Sequence, residues 1–193
     1  MNNFLLCFVK LFVAVDPPGL VPVFLSVTAG FDLVRRRKLV LQAVPAALVI
    51  GLVFFAVGRP LLSALGLGVP DLQIAGGILL FIYAVVDLFF FAGKPSVDEE
   101  HAMGIVPLAT PLIVGPAVLT MGLVLTDEYS FPMTALALTA NLVLLLAILL
   151  LADKLLRLVP MDAMRAISKV VDLLLAAIGV MIIRLGVTAM LGK

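Results

Sequence analysis

Two proline-containing motifs hold the residues of this sequence whose types and spacing are suited to binding chemistry. The first motif, DPPGLVP, contains Asp16, Pro17, Gly19 and Pro22 and lies inside an apolar segment. Aspartate before proline is typical of a helix start, because the carboxylate caps the helix and proline fits its first turn. A carboxylate at such a break can bind a cation, an ammonium group or a proton. The motif therefore predicts a new helix start and a candidate cation position at Asp16.

The second motif, TPLIVGP, contains Thr110, Pro111, Gly115 and Pro116 and also lies in an apolar segment. Threonine before proline again predicts a helix start, and the N–H groups at a helix N-terminus attract an anion. Prolines remove backbone donors, and unpaired backbone groups at membrane depth are tolerated only where they line a cavity or face protein. The unlike polar ends of the two motifs suit a zwitterion. The alternative is that both motifs are proline kinks with a structural role only.

Composition indicates that these motifs lie in a membrane. The chain has 193 residues, of which 64% are hydrophobic and 13% are charged, and its mean hydropathy is +1.29. A soluble domain is about a quarter charged. The net charge of +1 argues against a nucleic-acid partner, and the single cysteine, Cys7, excludes an internal disulfide.

Six apolar stretches approach the roughly 20 residues that a transmembrane helix needs. They are residues 4–29, 39–57, 71–92, 103–125, 131–151 and 167–190. The sequence therefore predicts an all-α, polytopic membrane protein in which residues 1–193 form a single transmembrane domain.

The two motifs occupy equivalent positions of an internal repeat, because a shift of 94 residues superimposes one on the other. The repeats, about residues 1–93 and 103–193, would each contain three spans, so the second repeat enters the membrane inverted. Inverted repeats with interrupted helices are characteristic of secondary transporters, whose substrates bind near the bilayer midplane. The prediction is six transmembrane helices in two inverted three-helix repeats. Helices 1 and 4 are interrupted, between about 16–22 and 110–116.

Basic residues predict the orientation. Four consecutive bases occupy positions 35–38 of the predicted loop 30–38, and further bases occur in the predicted loops 93–102 and 152–169. By the positive-inside rule these three loops face the cytoplasm. A multi-pass protein with both termini outside is therefore expected.

Asn141 is a polar residue near the centre of the fifth span. Such a residue either binds substrate or forms a hydrogen bond to a neighbouring helix. The chain has one histidine and no H-E-x-x-H motif, so we expect neither catalytic residues nor a structural metal site. A coupling cation or proton at Asp16 is the exception.

Four segments of the chain resemble the MarC family of bacterial inner-membrane proteins. They are DPPGLVPVFLSVTAG (16–30), GVPDLQIAGGILLF (68–81), VPLATPLIVGPAVLTM (106–121) and AISKVVDLLLAAIGVMII (166–183). The resemblance extends in order over nearly the whole chain. It implies six helices with inverted repeats, as in the LysE-type exporter superfamily, and some members of the family are described as neutral amino-acid transporters.

Two positions depart from the pattern of that family. Leu20 stands where the first motif of the family often has asparagine, so one polar ligand is missing. Asp172 stands where a small residue is usual in the last helix. Because Lys169 precedes Asp172 by three residues on the same helix, an ion pair between them is the simplest interpretation.

The sequence thus predicts a secondary transporter of a small solute, a neutral amino acid, with its site at the paired helix breaks. Export is one direction that this prediction allows. We expect no cofactor other than a coupling Na⁺ or H⁺, and we expect the lipid bilayer and the small solute as partners. A homo-oligomer is left open. A channel, or a structural or regulatory membrane protein without flux, is the alternative function.

Overall fold

The chain is all-helical wherever its structure is described. A computed structural model describes residues 3–28, 31–90, 113–152, 154 and 160–192. These residues contain seven helices: α1 (Asn3–Val15), α2 (Pro17–Val27), α3 (Leu33–Ala64), α4 (Val69–Phe90), α5 (Pro116–Tyr129), α6 (Phe131–Leu150) and α7 (Met161–Leu191). The predicted helical class is confirmed for this part of the chain.

Four segments of the described residues are long and apolar enough to cross a bilayer. They are Asn3–Val21, Leu33–Ala64, Phe131–Leu150 and Ala166–Leu191, and Pro70–Val86 is a shorter apolar helix segment. The first part of the fourth predicted span lies outside the described residues. The layout of six helices in two inverted repeats therefore stays a prediction.

Exposure follows the pattern of a protein surrounded by lipid. Large apolar side chains cover the outside: Val34 is 75% exposed and Val49 is 60% exposed. Carboxylates and amides, which a soluble protein keeps at its surface, occur instead in the interior. The buried polar side chains are Asp16, Thr28, Thr120, Thr134, Asn141, Ser168 and Asp172.

The helix α3 begins before the span predicted for it at 39–57. Asp32 is its N-cap, and its Oδ1 accepts a hydrogen bond from the N–H of Arg35 at 2.8 Å. The four bases at 35–38 therefore lie in the first turns of α3, and their assignment to a loop was wrong. The error arises because hydropathy ends with the apolar residues, whereas a capped helix continues through polar ones.

The same helix also continues beyond residue 57, where the predicted span ends. Pro60 lies inside the last turns of α3, and Arg59 Nη2 pairs with Asp127 Oδ1 at 2.7 Å. The helix then ends at Ala64, and Gly66, just beyond the cap residue Leu65, has a φ of 74°. The N–H of Leu67 donates to the carbonyl oxygen of Leu62 at 2.9 Å. This is the hydrogen bond of a glycine-terminated helix end.

Helices from the two halves of the chain pack against each other. The most extensive contact among the described helices joins α4 to α7. There Gly77 meets Gly179, because a Cβ at Gly77 would lie 2.7 Å from the carbonyl oxygen of Gly179. Such small residues let two membrane helices approach closely. Other contacts between a helix of the first half and a helix of the second half join α1 with α5, α6 and α7, α2 with α6 and α7, α3 with α5 and α6, and α4 with α5.

Candidate functional site

Asp16 alone separates α1 from α2. Its φ of 44° lies in the left-handed region, where aspartate and asparagine are tolerated better than most residues. Its N–H donates to the carbonyl oxygen of Phe12 at 3.0 Å, and its carbonyl oxygen accepts from the N–H of Leu20 at 3.0 Å. Its Oδ1 accepts from the N–H of Gly19 at 3.2 Å. Asp16 therefore ends α1 and caps α2, and α2 begins at Pro17, as the sequence predicts.

The interruption is confined to this one residue. Pro22 had been expected to extend the break, but α2 runs through it from Pro17–Val27. A proline inside a helix removes one hydrogen bond, and neighbouring groups compensate for such a loss in membrane helices. The prediction of a break reaching from 16 to 22 was therefore wrong at its second end.

The second carboxylate oxygen of Asp16 faces α7. The hydroxyl of Ser168 donates to Asp16 Oδ2 at 3.0 Å. Both residues are buried, since Asp16 is 8% exposed and Ser168 is 7% exposed. Gly19 provides the space for this contact, because a Cβ at Gly19 would overlap both Asp16 Oδ2 and Ser168 Oγ. Sequence reasoning did not connect Ser168 with the break. No local signal could have done so, since 152 residues separate the two partners.

A second buried carboxylate lies on the same face of α7. Asp172 is 2% exposed and follows Ser168 by four residues, which is the spacing of neighbours along a helix face. Lys169, by contrast, is exposed. The opposite exposure of Asp172 and Lys169 argues against the predicted ion pair between them. Asp172 instead places a second buried carboxyl group on the helix face that Asp16 contacts.

The break also favours a cation through its backbone. Pro17 and Pro18 have no N–H, so the carbonyl oxygens of Val13 and Ala14 receive no helical hydrogen bond from them. A helix C-terminus already carries partial negative charge. The first turn of α2 offers no compensating donor, because its first two residues are prolines and its third N–H is bound to Asp16. The end of α1 is therefore an electronegative position.

The second predicted break is described only in part. Thr110 and Pro111, the expected helix start, lie outside the described residues. Residues 114 and 115 are not helical, and α5 begins at Pro116 with Gly115 as its N-cap. A helix thus starts at Pro116, within the predicted range 110–116, whereas the helix that would precede the break lies outside the described residues, so the interruption of the fourth span stays a prediction.

The N-terminus of α5 differs electrostatically from that of α2. Gly115 has an extended backbone, with φ −86° and ψ −176°, and no side chain caps the helix. The N–H groups of Ala117 and Val118 belong to the first turn, where no carbonyl of the helix can accept them. The start of α5 therefore presents positive potential that no side-chain cap among the described residues compensates. An anionic group is the complementary ligand for such an end.

Asn141 joins α6 to α1. Its Nδ2 donates to the carbonyl oxygen of Phe8 at 3.1 Å and to that of Ala137 at 2.9 Å. The side chain is fully buried, and its Oδ1 accepts no hydrogen bond from the described protein groups. The structure thus gives the interhelical bond that was one of the two expectations. The Oδ1 atom is an acceptor that a ligand could use, so a binding role for Asn141 stays a prediction.

Two ion pairs connect the last turn of α5 to other helices. Lys10 Nζ lies 3.0 Å from Glu128 Oε2, and Arg59 Nη2 lies 2.7 Å from Asp127 Oδ1. The Lys10 ammonium also lies over the ring of Tyr129, at 5.5 Å from its centroid. These contacts hold α1 and α3 to α5 at a level distinct from Asp16, six residues further along the chain.

Neither a cavity at the α3–α4 connection nor a metal site among the described residues competes with the break as a candidate. A cavity of about 510 Å³ lies at the α3–α4 connection, beside Ser63, Asp71 and Met190, and none of its lining residues belongs to a break. Among the residues that the structure describes, no three histidine, cysteine or acidic side chains are grouped to hold a metal ion.

An all-helical chain with long apolar helices, an apolar exterior and buried carboxylates is an integral membrane protein. Residues 1–191 match the profile of the MarC family of integral membrane proteins. The chain belongs to this family, so the resemblance inferred from the four quoted segments is confirmed.

Relatives in bacteria and archaea carry names that describe membrane proteins only. The UPF0056 inner membrane protein YhgN of Escherichia coli (strain K12) is 35% identical over 134 residues, which cover 67% of this chain and 66% of that protein. A UPF0056 membrane protein of Buchnera aphidicola is 33% identical over 130 residues, again 67% and 66%. The matched part is thus slightly under two thirds of these two relatives.

A UPF0056 membrane protein of Methanocaldococcus jannaschii is 29% identical over 202 aligned positions, covering 98% of this chain and 89% of that protein. No solved structure matches the chain significantly.

Proposed function

We propose that this protein is a secondary transporter of a small zwitterionic solute, a neutral amino acid. The solute's ammonium group, or a coupling Na⁺ or H⁺, binds at Asp16. The carboxylate of the solute binds at the uncapped start of α5. The observation that carries the proposal is a buried carboxylate, Asp16, at a one-residue break between two membrane helices. Asn141 Oδ1 is a further acceptor, about two turns of α1 away from Asp16 at the level of Phe8.

The energetic cost of Asp16 supports a role beyond capping. A charged carboxylate within a membrane costs about 2.5–3.5 kcal/mol on insertion scales. An N-cap contributes only about 0.5–2 kcal/mol, and serine, threonine or asparagine would provide it without the charge. A binding function for a cation explains why a carboxylate occupies the position.

Helix packing supports the related prediction of an inverted repeat. If the two halves are related by two-fold symmetry, α1 and α2 correspond to α5, α3 corresponds to α6, and α4 corresponds to α7. The contact of α2 with α7 then becomes that of α5 with α4, and the contact of α1 with α6 becomes that of α5 with α3. All four contacts occur. A two-fold relation between the halves is the geometry expected for alternating access around a central site.

The bacterial inner membrane is the proposed location, with both termini outside. The Escherichia coli relative is named as an inner membrane protein, and this supports the location. The four bases at 35–38 support the orientation through the positive-inside rule.

Uptake into proteoliposomes tests the proposal. Neutral amino acids are supplied singly, with and without sodium and a pH gradient, and a transporter shows saturation and counterflow. Asp16→Asn preserves the cap and tolerates the left-handed backbone, but it removes the charge. We expect the variant to fold and insert and its flux to fall at least about tenfold, because a hydrogen bond to a charged group contributes about 1.5–3 kcal/mol.

The controls separate the alternatives. Wild-type flux with unchanged sodium and pH dependence in Asp16→Asn would leave Asp16 as a cap only. Conductance that does not saturate would indicate a channel. No flux of any neutral amino acid, in protein shown to be folded, would favour the structural or regulatory alternative.

A further inference from the structure

The first turns of α3 place exposed bases directly above an exposed apolar stripe of the same helix. The stripe follows the i, i+3 and i+4 spacing of one helix face, and its exposed members are Pro45, Val49, Val53 and Val57, with the exposed Gln42 between them and the bases. The opposite face is buried against α5 and α6. The apolar stripe therefore faces lipid.

Lys38 and Arg35 continue this stripe beyond its apolar part. Lys38 precedes Gln42 by four residues and Arg35 precedes Lys38 by three, so both lie on the lipid-facing side, and both are exposed. The apolar segment 39–57 has 19 residues and spans about 28 Å as a helix, close to the hydrocarbon thickness of about 30 Å. The two bases therefore lie at the depth of the lipid headgroups.

The turn that carries these bases is held in place by the protein. The N–H of Phe31 donates to the carbonyl oxygen of Thr28 at 3.0 Å, and Arg36 Nη2 donates to the same oxygen at 2.9 Å. The guanidinium of Arg35 lies over the ring of Phe31, at 4.2 Å from its centroid. A base whose position is fixed in advance loses less entropy when it binds a ligand.

The charge of this turn is unfavourable for the isolated protein and complementary to an anion. Bases near a helix N-terminus oppose the helix dipole, whereas an anion there is stabilised. Asp32, the acidic residue of the turn, is engaged as the N-cap through the N–H of Arg35. A second copy of the chain at this face would bring like charges together, so the charge disfavours a self-interface.

From this geometry we infer that α3 carries a binding site for an anionic phospholipid. The headgroup phosphate lies between Arg35 and Lys38, and an acyl chain lies along the stripe formed by Val49 and Val53. Lipid binding here does not depend on transport.

Thermal unfolding of the full-length chain in detergent tests the site. Phosphatidylglycerol and phosphatidylcholine with the same acyl chains are added separately, and inorganic phosphate is a third arm. We expect phosphatidylglycerol to raise the melting temperature by several degrees more than phosphatidylcholine does, with no gain from phosphate. The double variant Arg35→Gln/Lys38→Gln should lose at least half of that difference.

The matched control removes two exposed charges elsewhere. Arg37 lies on α3 but about 100° around the helix from Lys38, and Lys169 lies on α7. The variant Arg37→Gln/Lys169→Gln should keep the full difference. An equal loss in both double variants would replace the site by a general surface-charge effect. A gain from phosphate equal to that from phosphatidylglycerol, or equal gains from the two lipids, would overturn the lipid assignment.

Native mass spectrometry gives a second measurement that is independent of stability. The wild type and the control should retain phosphatidylglycerol at collision energies that strip phosphatidylcholine, and Arg35→Gln/Lys38→Gln should not. Equal retention of phosphatidylglycerol by all three proteins would contradict the site.

Discussion

At the scale of single residues, the candidate site depends on how Asp16 is held. Its backbone occupies a left-handed conformation, one carboxylate oxygen accepts from Gly19, and the other accepts from Ser168. Each oxygen thus has a different partner element, α2 for Oδ1 and α7 for Oδ2. A movement of α7 relative to α2 would change the contacts of the carboxylate directly.

Gly19→Ala tests the space around that carboxylate. The new methyl group would overlap Asp16 Oδ2 and Ser168 Oγ, so the Ser168 hydrogen bond must lengthen or break. Overpacking of this kind costs about 1–3 kcal/mol. We expect a lower melting temperature in the same detergent. Gly68→Ala is the matched control, because its Cβ would make only ordinary contacts at 3.4 Å. A shift in Gly19→Ala no larger than in Gly68→Ala would contradict the tight packing.

Asn141→Leu separates packing from ligand binding. The leucine removes both the amide donors and the unpartnered Oδ1 while filling a comparable space. Removal of a polar group that is only partly hydrogen-bonded can be nearly neutral for stability. We therefore expect the unfolding temperature to change little and transport to fall at least about tenfold, the loss expected when a hydrogen-bonding ligand worth about 1.5 kcal/mol is removed. Unchanged saturable flux would assign Asn141 to helix packing alone.

Local chemistry made the first break predictable from sequence, but the residues that surround the break in space were not predictable. The Asp16-Pro17 pair acts through capping and a missing donor, which depend only on neighbouring residues. The contact of Asp16 with Ser168 depends on how α7 packs against α2, and nothing near either residue encodes it. The ion pair predicted between Asp172 and Lys169 was inferred from their spacing along the chain for the same reason. In the structure Asp172 is buried and Lys169 is exposed.

At the scale of helices, hydropathy located the elements and misjudged their ends. The extension of α3 to Leu33 and to Ala64 depends on Asp32 as a cap and on Arg59, which pairs with Asp127. Polar residues of this kind interrupt an apolar run without interrupting a helix. Pro22 and Pro60 show the same limit, because a proline lowers helix propensity but tertiary packing decides whether the helix continues.

The ion pair between Lys10 and Glu128 gives a prediction at this scale. It connects α1 to the end of α5, and its side chains are 20% and 43% exposed. Pairs with such exposure contribute about 0.2–1 kcal/mol and are weakened by salt. A double-mutant cycle with Lys10→Gln and Glu128→Gln should give a coupling energy in this range that declines between low and high salt. A coupling energy above about 2 kcal/mol, or one independent of salt, would show a desolvated pair instead.

At the scale of the whole molecule, polar groups concentrate at the contact between the two halves. Asp16, on the first half, meets Ser168 on the second, and Asn141 on the second half binds the backbone of Phe8 on the first. Both hydrogen bonds cross the boundary between the predicted repeats. A change in the relative position of the halves would therefore alter both together, which is the coupling that alternating access requires.

The orientation of the molecule is the last prediction. The six predicted crossings would put both termini on one side, and by the positive-inside rule the bases at 35–38 predict that this side is outside. Cysteines are introduced singly at positions 2, 37 and 192 in a Cys7→Ala background, and intact cells are treated with a membrane-impermeant maleimide. Positions 2 and 192 should label in intact cells, and position 37 should label only after permeabilisation. The Cys7→Ala parent, which contains no cysteine, controls for background. Labelling of position 37 alone in intact cells would invert the orientation, and labelling of only one terminus would require an odd number of crossings and exclude the six-helix layout.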